Sequence, residues 1–186
     1  MKDILIIGDS CRDIFVYCDA TRLCPEAPVP VLNVLDQSEN AGMAKNVYRN
    51  VRSLTNSCDI ITNDNWTTIT KTRYVHHVSN HMFFRVDVDH PIPRINLDQL
   101  RLFDYRCVVV SDYNKGFLKE DDIKWITEQH PTVFIDSKKQ IGDWATKARY
   151  IKINDYEYQR SVTTMSDEIK AKTIHTLGAD GCKFGD

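Results

Sequence analysis

Short apolar runs recur along the chain and predict strands that are buried on both faces. The first run occupies residues 3–8 and ends in glycine, and similar runs follow at 106–111, 132–136 and 149–154. Continuous apolar runs of this length are typical of parallel strands covered on both sides. The runs therefore predict four strands of a mostly parallel sheet.

Two segments between these runs carry apolar residues at helical spacing. Residues 42–54 place Val47 and Val51 four positions apart, and residues 119–129 contain two isoleucines three positions apart. This spacing indicates helices with one apolar face. Strands that alternate with helices predict a doubly wound α/β layer.

Two β-rich segments, at about residues 12–36 and 66–89, interrupt this alternation. Each is predicted to form a pair of strands, the first around a Pro-rich turn at 24–28 and the second around Ser79 and Asn80. Four such strands do not fit inside a parallel sheet. We therefore predict a small antiparallel β-flap, or lid, attached to a single α/β domain over residues 1–186.

Apolar and polar side chains alternate in the last flap strand. Phe83, Arg85 and Asp87 alternate with Phe84, Val86 and Val88, which predicts one covered face and one polar face. A small isolated flap is poorly stable in water. We expect the main domain or a second copy of the flap to cover it.

Composition narrows the class of protein. The net charge is −2, with 24 Lys and Arg against 26 Asp and Glu, so no nucleic-acid or membrane-surface role is expected. The N-terminal run is too short and too acidic for a signal peptide, which predicts a cytoplasmic protein.

The six cysteines form no C-x-x-C pair, so we predict free thiols and no intrinsic metal site, with disulfides as the alternative for an exported protein.

Polar residues follow the predicted strands, where ligands bind in open α/β sheets. Asp9 and Asp13 come at or just after the first strand end and offer carboxylates to vicinal sugar hydroxyls, with turn capping as the alternative. Gly42 begins a helix with Asn46 one turn inside, a pattern that also fits a simple helix entry. We expect these side chains to meet at one edge of the sheet, beneath the flap.

Further acids and lysines follow three later strands, in the segments 111–116, 136–138 and 154–157. Each segment alone is a routine loop. Together with Asp9 they predict a site at which four strand ends converge.

The segment 8–13, Gly-Asp-Ser-Cys-Arg-Asp, is followed by the string Pro-Glu-Ala-Pro-Val-Pro-Val at 25–31. Supporting motifs follow in chain order at 46–54, 70–73, 85–87, 111–116, 136–138, 154–157 and 176–181. This series resembles the PfkB/ribokinase family of carbohydrate kinases, in particular the heptose-7-phosphate kinase half of ADP-heptose synthase.

The resemblance implies a role for each matching residue. The residues implied to bind the sugar are Asp9, Asp13, Gly42, Asn46, Lys71 and Arg85. The residues implied to lie near phosphate or magnesium are Asp112, Lys115, Asn154 and Glu157. The family resemblance also implies ATP and Mg²⁺ as cofactors, a sugar or sugar phosphate as ligand, and a homodimer formed through the β-flap.

Three features depart from the family pattern. The chain has no Gly-Ala-Gly-Asp loop, which in the family supplies the catalytic base and an anion hole, so no catalytic residue is assigned. Between Leu54 and Thr67 only a short link is expected in place of a strand–helix unit. The usual Gly-Gly at the sugar-binding helix is Gly42-Met43 here.

Three functions remain open from the sequence. The first is a shortened kinase-like protein that binds a sugar or sugar phosphate with little or no turnover, because positioning and charge stabilisation dominate phosphoryl transfer. The second is an active kinase completed by a partner or by an unusual base, such as Asp112 or Asp136. The third is a non-catalytic interaction protein that dimerises through the flap.

Overall fold

The computed structural model of this protein describes residues 2–185. Its strands are β1 (Lys2–Gly8), β2 (Ser10–Leu23), β3 (Pro30–Met43), β4 (Cys58–Ile61), β5 (Thr70–His76), β6 (Met82–Val88), β7 (Tyr105–Asp112), β8 (Val133–Ser137), β9 (Tyr150–Asn154), β10 (Thr173–Thr176) and β11 (Cys182–Phe184). Its α-helices are α1 (Ala44–Arg52), α2 (Glu120–Gln129), α3 (Asp155–Ser161) and α4 (Asp167–Lys170).

These elements form two compact units. The main unit comprises residues 2–9, 43–63 and 91–185 of the described chain, and the flap unit comprises residues 10–42 and 64–90. Each unit has its own sheet. The main sheet has the order β11-β10-β9-β8-β7-β1-β4, and the flap sheet has the order β3-β2-β5-β6.

The main sheet is mostly parallel, as predicted. Parallel ladders join β4 to β1, β1 to β7, β7 to β8, β8 to β9 and β9 to β10, while β11 is antiparallel to β10. All four predicted strands belong to this sheet. The expectation of only a short link between Leu54 and Thr67 is wrong, because β4 lies there and pairs with β1 through the register Ile4 to Cys58.

Both faces of the main sheet are covered, which explains its continuous apolar runs. Leu5 and Ile7 belong to a large core that includes Ile123 of α2, whereas Ile6 packs in a smaller core with Ala44 of α1. Successive side chains of a strand point to opposite faces, so α1 and α2 cover opposite sides of β1. This arrangement confirms the predicted doubly wound α/β class.

The flap sheet mixes the two pairing directions. Strands β5 and β6 are antiparallel and enclose the predicted turn at Ser79 and Asn80. Strands β2 and β5 are parallel, with the register running from Arg12–Thr70 to Cys18–His76. The predicted antiparallel pairing is confirmed for β5 and β6 and is wrong for β2 and β5. Parallel neighbours need a long connection, and residues 24–69, which include β3, α1 and β4, supply it.

The predicted covered face of β6 is not covered within this chain. Phe84, Val86 and Val88 share one face of the strand and are 46%, 44% and 43% exposed. Phe84 stacks on Tyr74 of β5, with 4.7 Å between ring centroids. Because β6 is the last strand of its sheet, this apolar face and the edge beside it are both open.

The cysteines and the helices bear on the expectations from composition. All six cysteines lie within the described residues, and none forms a disulfide, which agrees with the prediction of free thiols. No helix within residues 2–185 has both the length and the apolar character needed to span a bilayer.

Candidate functional site

Asp9 follows β1 directly and is fully buried. Its Oδ2 accepts backbone N–H bonds from Tyr113 at 2.7 Å and Lys115 at 3.4 Å, and its Oδ1 accepts one from Phe117 at 3.1 Å. Burial raises the pKa of the carboxyl and the neighbouring Asp112 raises it further, while the three N–H donors act against both. Asp9 therefore anchors the loop that follows β7.

The backbone of that loop explains why its amides converge. Asn114 and Gly116 have φ of 57° and 106°, in the left-handed region, and they alternate with ordinary residues. Such alternation turns backbone N–H groups toward a common point and forms a concavity that binds an anion. In this protein the anion is the carboxylate of Asp9.

Asp112, at the end of β7, lies at the centre of a buried charge pair. Both of its carboxylate oxygens accept a bond from the Lys139 ammonium at 2.9 Å, and the Ser137 hydroxyl donates to Oδ2. The Asp112 side chain is 0% exposed and that of Lys139 is 9% exposed. A buried carboxylate is tolerated because a cation and a hydroxyl replace the water it has lost.

Asn154 and Glu157 form a reciprocal capping box at the start of α3. The Asn154 side chain accepts the Glu157 N–H at 2.9 Å, and the Glu157 carboxylate accepts the Asn154 N–H at 2.8 Å. The Lys138 ammonium also donates to Glu157, which is buried. This Asn-x-x-Glu motif therefore fixes the strand-to-helix turn at the sheet edge.

In the flap unit, Asp13 is held beside a glycine. Its Oδ1 accepts a bond from Nη1 of Arg73 at 2.7 Å. A Cβ added to Gly42 would lie 2.5 Å from Asp13 Oδ2 and 2.8 Å from Cys11 Sγ, so only glycine fits there without displacing them. Burial, and then the charge of Asp13, raises the pKa of the Cys11 thiol to about 11.

The two basic residues predicted in the flap share one acidic neighbour. Lys71 is the register partner of Asp13 on β2 and of Asp87 on β6. Arg85 donates to both carboxylate oxygens of Asp87, at 2.8 Å from Nε and 3.0 Å from Nη2. The flap sheet therefore brings Asp13, Gly42 and Lys71 together.

The start of α1 carries an unusual backbone. Asn46 is exposed in the first turn, and the Ala44 N–H donates to the Asp9 carbonyl at 2.9 Å. Met43, which caps the helix, has φ 56° and ψ −130°, a conformation that strongly favours glycine. Holding methionine there costs on the order of 1–3 kcal/mol, and the strain falls on the second position of the Gly42-Met43 pair.

The structure places the predicted residues in two groups. Asp9, Asp112, Lys115, Asn154 and Glu157 belong to the main unit, where contacts through Lys138 and Lys139 link the ends of β7, β8 and β9. Asp13, Gly42, Lys71 and Arg85 belong to the flap unit. Asn46 belongs to the main unit.

Sequence reasoning missed several partners of these residues. Arg73 and Lys138 lie inside motifs that carried the resemblance, so their positions gave a usable signal. Ser137 also lies in such a motif, at the end of β8. Lys139 lies in no motif that carried the resemblance, and only the fold shows that it contacts Asp112.

The fold is that of the ribokinase-like carbohydrate kinases. Phosphofructokinase-2 from Escherichia coli matches with a TM-score of 0.62 at 14% identity, over 98% of this chain and 76% of that chain. Ribokinase from Thermotoga maritima matches with a TM-score of 0.57 at 11% identity, over 98% of this chain and 74% of that chain. Identities this low show the fold alone.

In sequence the chain is similar to the bifunctional protein HldE. It is 30% identical to HldE of Hydrogenovibrio crunogenus over a match that covers 89% of this chain and 41% of the relative. It is 33% identical to HldE of Helicobacter pylori strain HPAG1, over 74% of this chain and 38% of the relative. No protein-family profile matches the chain. The predicted resemblance to PfkB/ribokinase-family carbohydrate kinases, and to the heptose kinase part of ADP-heptose synthase, is confirmed, and the chain spans about 40% of the length of these relatives.

Proposed function

We propose that this chain is a heptose-phosphate-kinase-like protein of the PfkB family that binds a sugar or sugar phosphate. In the flap unit the proposed ligand-binding residues are Asp13, Gly42, Lys71 and Arg85, and in the main unit they are Asp9 and Asn46. Asp112, Lys115, Asn154 and Glu157 are proposed to lie near the phosphate.

The observation that carries this proposal is the preorganised carboxylate of Asp13. Arg73 fixes one oxygen at 2.7 Å, and the other oxygen packs against Gly42, where an added Cβ would approach it to 2.5 Å. A carboxylate held in this way can accept hydrogen bonds from sugar hydroxyls without first being ordered. Charge-assisted hydrogen bonds are stronger than neutral ones, so such a group supports selective binding of a polyol.

Calorimetric titration tests this proposal. Heptose 7-phosphate and a panel of other sugar phosphates are titrated into the wild-type chain and into Asp13→Asn. The variant is expected to bind at least about 10-fold more weakly, because a hydrogen bond to a charged group contributes roughly 1.5–3 kcal/mol. Asp36→Asn, at an exposed site on β3, is the matched control and should bind as the wild type does. Absence of binding by every sugar phosphate would contradict the proposal.

For residues 1–186 alone we propose binding without appreciable phosphoryl transfer. The sequence contains no Gly-Ala-Gly-Asp loop. Asp112 and Asp136, the two substitute bases considered, each have a lysine partner, at 2.9 Å from Lys139 and 3.1 Å from Lys152. Nothing in these contacts prepares either carboxylate to accept a proton from a sugar hydroxyl.

ATP and Mg²⁺ are implied by the family, and the residues present fit the metal poorly. Glu157 is already bonded to Asn154 and to the Lys138 ammonium, and Asp112 is bonded to Lys139. Carboxylates neutralised by lysine do not offer the oxygen ligands that Mg²⁺ prefers. The active-kinase alternative would be favoured if the wild-type chain formed ADP with a sugar substrate and the Asp13→Asn variant did not.

A homodimer through the flap is the second candidate function, and the open apolar face of β6 favours it. An edge strand with exposed Phe84, Val86 and Val88 is a ready template for pairing with another chain, and a second copy presents the same face. We propose that two flap units pack through this face. The cytoplasmic location stays a prediction from the sequence.

Light scattering coupled to gel filtration tests the dimer. The wild-type chain is expected to elute as a dimer at micromolar concentration, and Phe84→Asp is expected to shift it to a monomer because a charge is placed in the apolar contact. Phe103→Asp is the matched control, since Phe103 of the main unit is 73% exposed, and it should leave the dimer intact. A wild-type monomer would contradict the proposal.

A further inference from the structure

Asp19, His76 and His77 of the flap unit form a cluster of metal-binding side chains. Each offers one ligand atom, and these atoms all lie within 4.8 Å of one another. We propose that this cluster binds a divalent transition metal ion, with Zn²⁺ as the best-suited ion. No cysteine or acidic motif in the sequence predicts such a site, and none of the three residues belongs to the proposed sugar-binding set.

Strand pairing brings the three residues together. Cys18 of β2 is the register partner of His76, the last residue of β5, and the His77 N–H donates to the Cys18 carbonyl at 3.0 Å. Asp19 is the next residue after Cys18 on β2. The backbone therefore holds the carboxylate beside the two imidazoles through main-chain hydrogen bonds, so little chain entropy is lost when a metal binds.

His76 is already oriented for binding through Nε2. Its Nε2 lies 3.8 Å from Asp19 Oδ1, while its Nδ1 lies 3.1 Å from the Ser79 hydroxyl and accepts the Ser79 N–H at 3.3 Å. A metal on Nε2 places the ring proton on Nδ1, and the Ser79 hydroxyl oxygen then replaces the Ser79 N–H as the hydrogen-bond partner of Nδ1. A hydrogen bond at the second ring nitrogen is the usual support of a metal-bound histidine.

The ligand types and spacing favour Zn²⁺ over Mg²⁺ or Ca²⁺. Two imidazoles and one carboxylate suit zinc, whereas the lighter ions prefer oxygen ligands only. Ligand atoms about 2 Å from a tetrahedral metal lie roughly 3.3 Å apart, so the observed spacings need only small side-chain rotations. The side chains of His76 and Asp19 are 30% and 35% exposed and His77 is exposed, which leaves them room to rotate and leaves water to complete the shell.

A metal at this position would link the end of β5 to β2. Binding to the folded form alone stabilises a protein in proportion to the logarithm of ligand concentration over Kd. At a zinc concentration 100-fold above Kd, the melting temperature should rise by about 5–10 °C for a chain of this size.

Zinc titration of the tag-free chain after dialysis against EDTA tests the site. Calorimetry should give one bound Zn²⁺ per chain, and Co²⁺ in its place should show the visible absorption of low-coordinate cobalt. His77→Gln and His76→Gln should each lower the zinc affinity at least about 10-fold, with melting temperatures in EDTA close to that of the wild type. His77 is exposed, so its replacement does not threaten folding.

His81→Gln and His90→Gln are the matched controls, because both histidines lie in the flap unit outside the cluster. They should leave the zinc affinity and stoichiometry unchanged. The proposal would be overturned by the absence of zinc binding, by zinc binding that persists unchanged in both His76→Gln and His77→Gln, or by an equal loss in His81→Gln.

Discussion

Replacing Gly8 by alanine is expected to destabilise the main unit by at least about 3 kcal/mol and to lower its melting temperature by roughly 6–12 °C. A Cβ at Gly8 would lie 1.8 Å from the carbonyl oxygen and 2.6 Å from the carbonyl carbon of Ser111. Gly8 and Ser111 are register partners in adjacent parallel strands, so no side-chain rotation relieves this contact. The backbone of β1 or β7 must move, and Asp9 would move with it.

Thermal unfolding followed by circular dichroism measures this effect. Gly142→Ala is the matched control, since the nearest atom to its added Cβ is a Trp144 ring carbon at 3.8 Å, an ordinary van der Waals distance. Gly142 also has an extended φ of −155°, which any residue adopts. The control should stay within about 0.5 kcal/mol of the wild type. Equal melting temperatures for the two variants would show that β1 and β7 are not paired as described.

Lys139→Met is expected to cost about 3–5 kcal/mol, because it leaves the Asp112 carboxylate buried without its cation. Methionine keeps most of the aliphatic volume of lysine, so the loss of folding stability measures the effect of the missing charge and not that of a cavity. The same change at Lys152, whose partner is Asp136, should cost no more than about 1 kcal/mol. That pair is 41% and 34% exposed, so water replaces the lost partner.

The double variant Lys139→Met, Asp112→Asn separates the charge effect from packing. Removing both charges should restore a large part of the stability lost in Lys139→Met, since the orphaned carboxylate is then absent. A double-mutant cycle compares the urea unfolding midpoints of the wild type, Lys139→Met, Asp112→Asn and the double variant. Additive losses in this cycle would mean that the two side chains do not interact in solution.

The sequence predicts an element well where local pattern alone determines it. Strands β1 and β7 contain continuous apolar runs, at 4–7 and 107–110, because helices cover both faces of the main sheet, and both strands were predicted within two residues at each end. Strands β4 and β10 were missed. Each has four residues, which is too short to show a period, and each is stabilised by its neighbour, β1 or β9.

The contacts of the candidate site likewise divide into those with a local signal in the sequence and those without one. The Asn154–Glu157 spacing is a capping signature that can be seen in the sequence. The same two residues match the family motif that is implied to lie near phosphate, so the sequence analysis assigned them to phosphate and not to helix capping. The hydrogen bonds that Tyr113 donates to Asp9 and that Lys139 donates to Asp112 join residues 104 and 27 positions apart. No local pattern in the sequence contains such pairs.

By itself the sequence determined the class of fold, four strands of the main sheet and the residues that carry the kinship with carbohydrate kinases. These depend on hydrophobic periodicity and on motifs read in order, both of which are local. Only the tertiary structure decided that Asp9 anchors a loop, that Gly42 makes room for Asp13, and that two histidines meet Asp19. Those facts depend on which distant segments pack together, a choice set by the free energy of the whole fold.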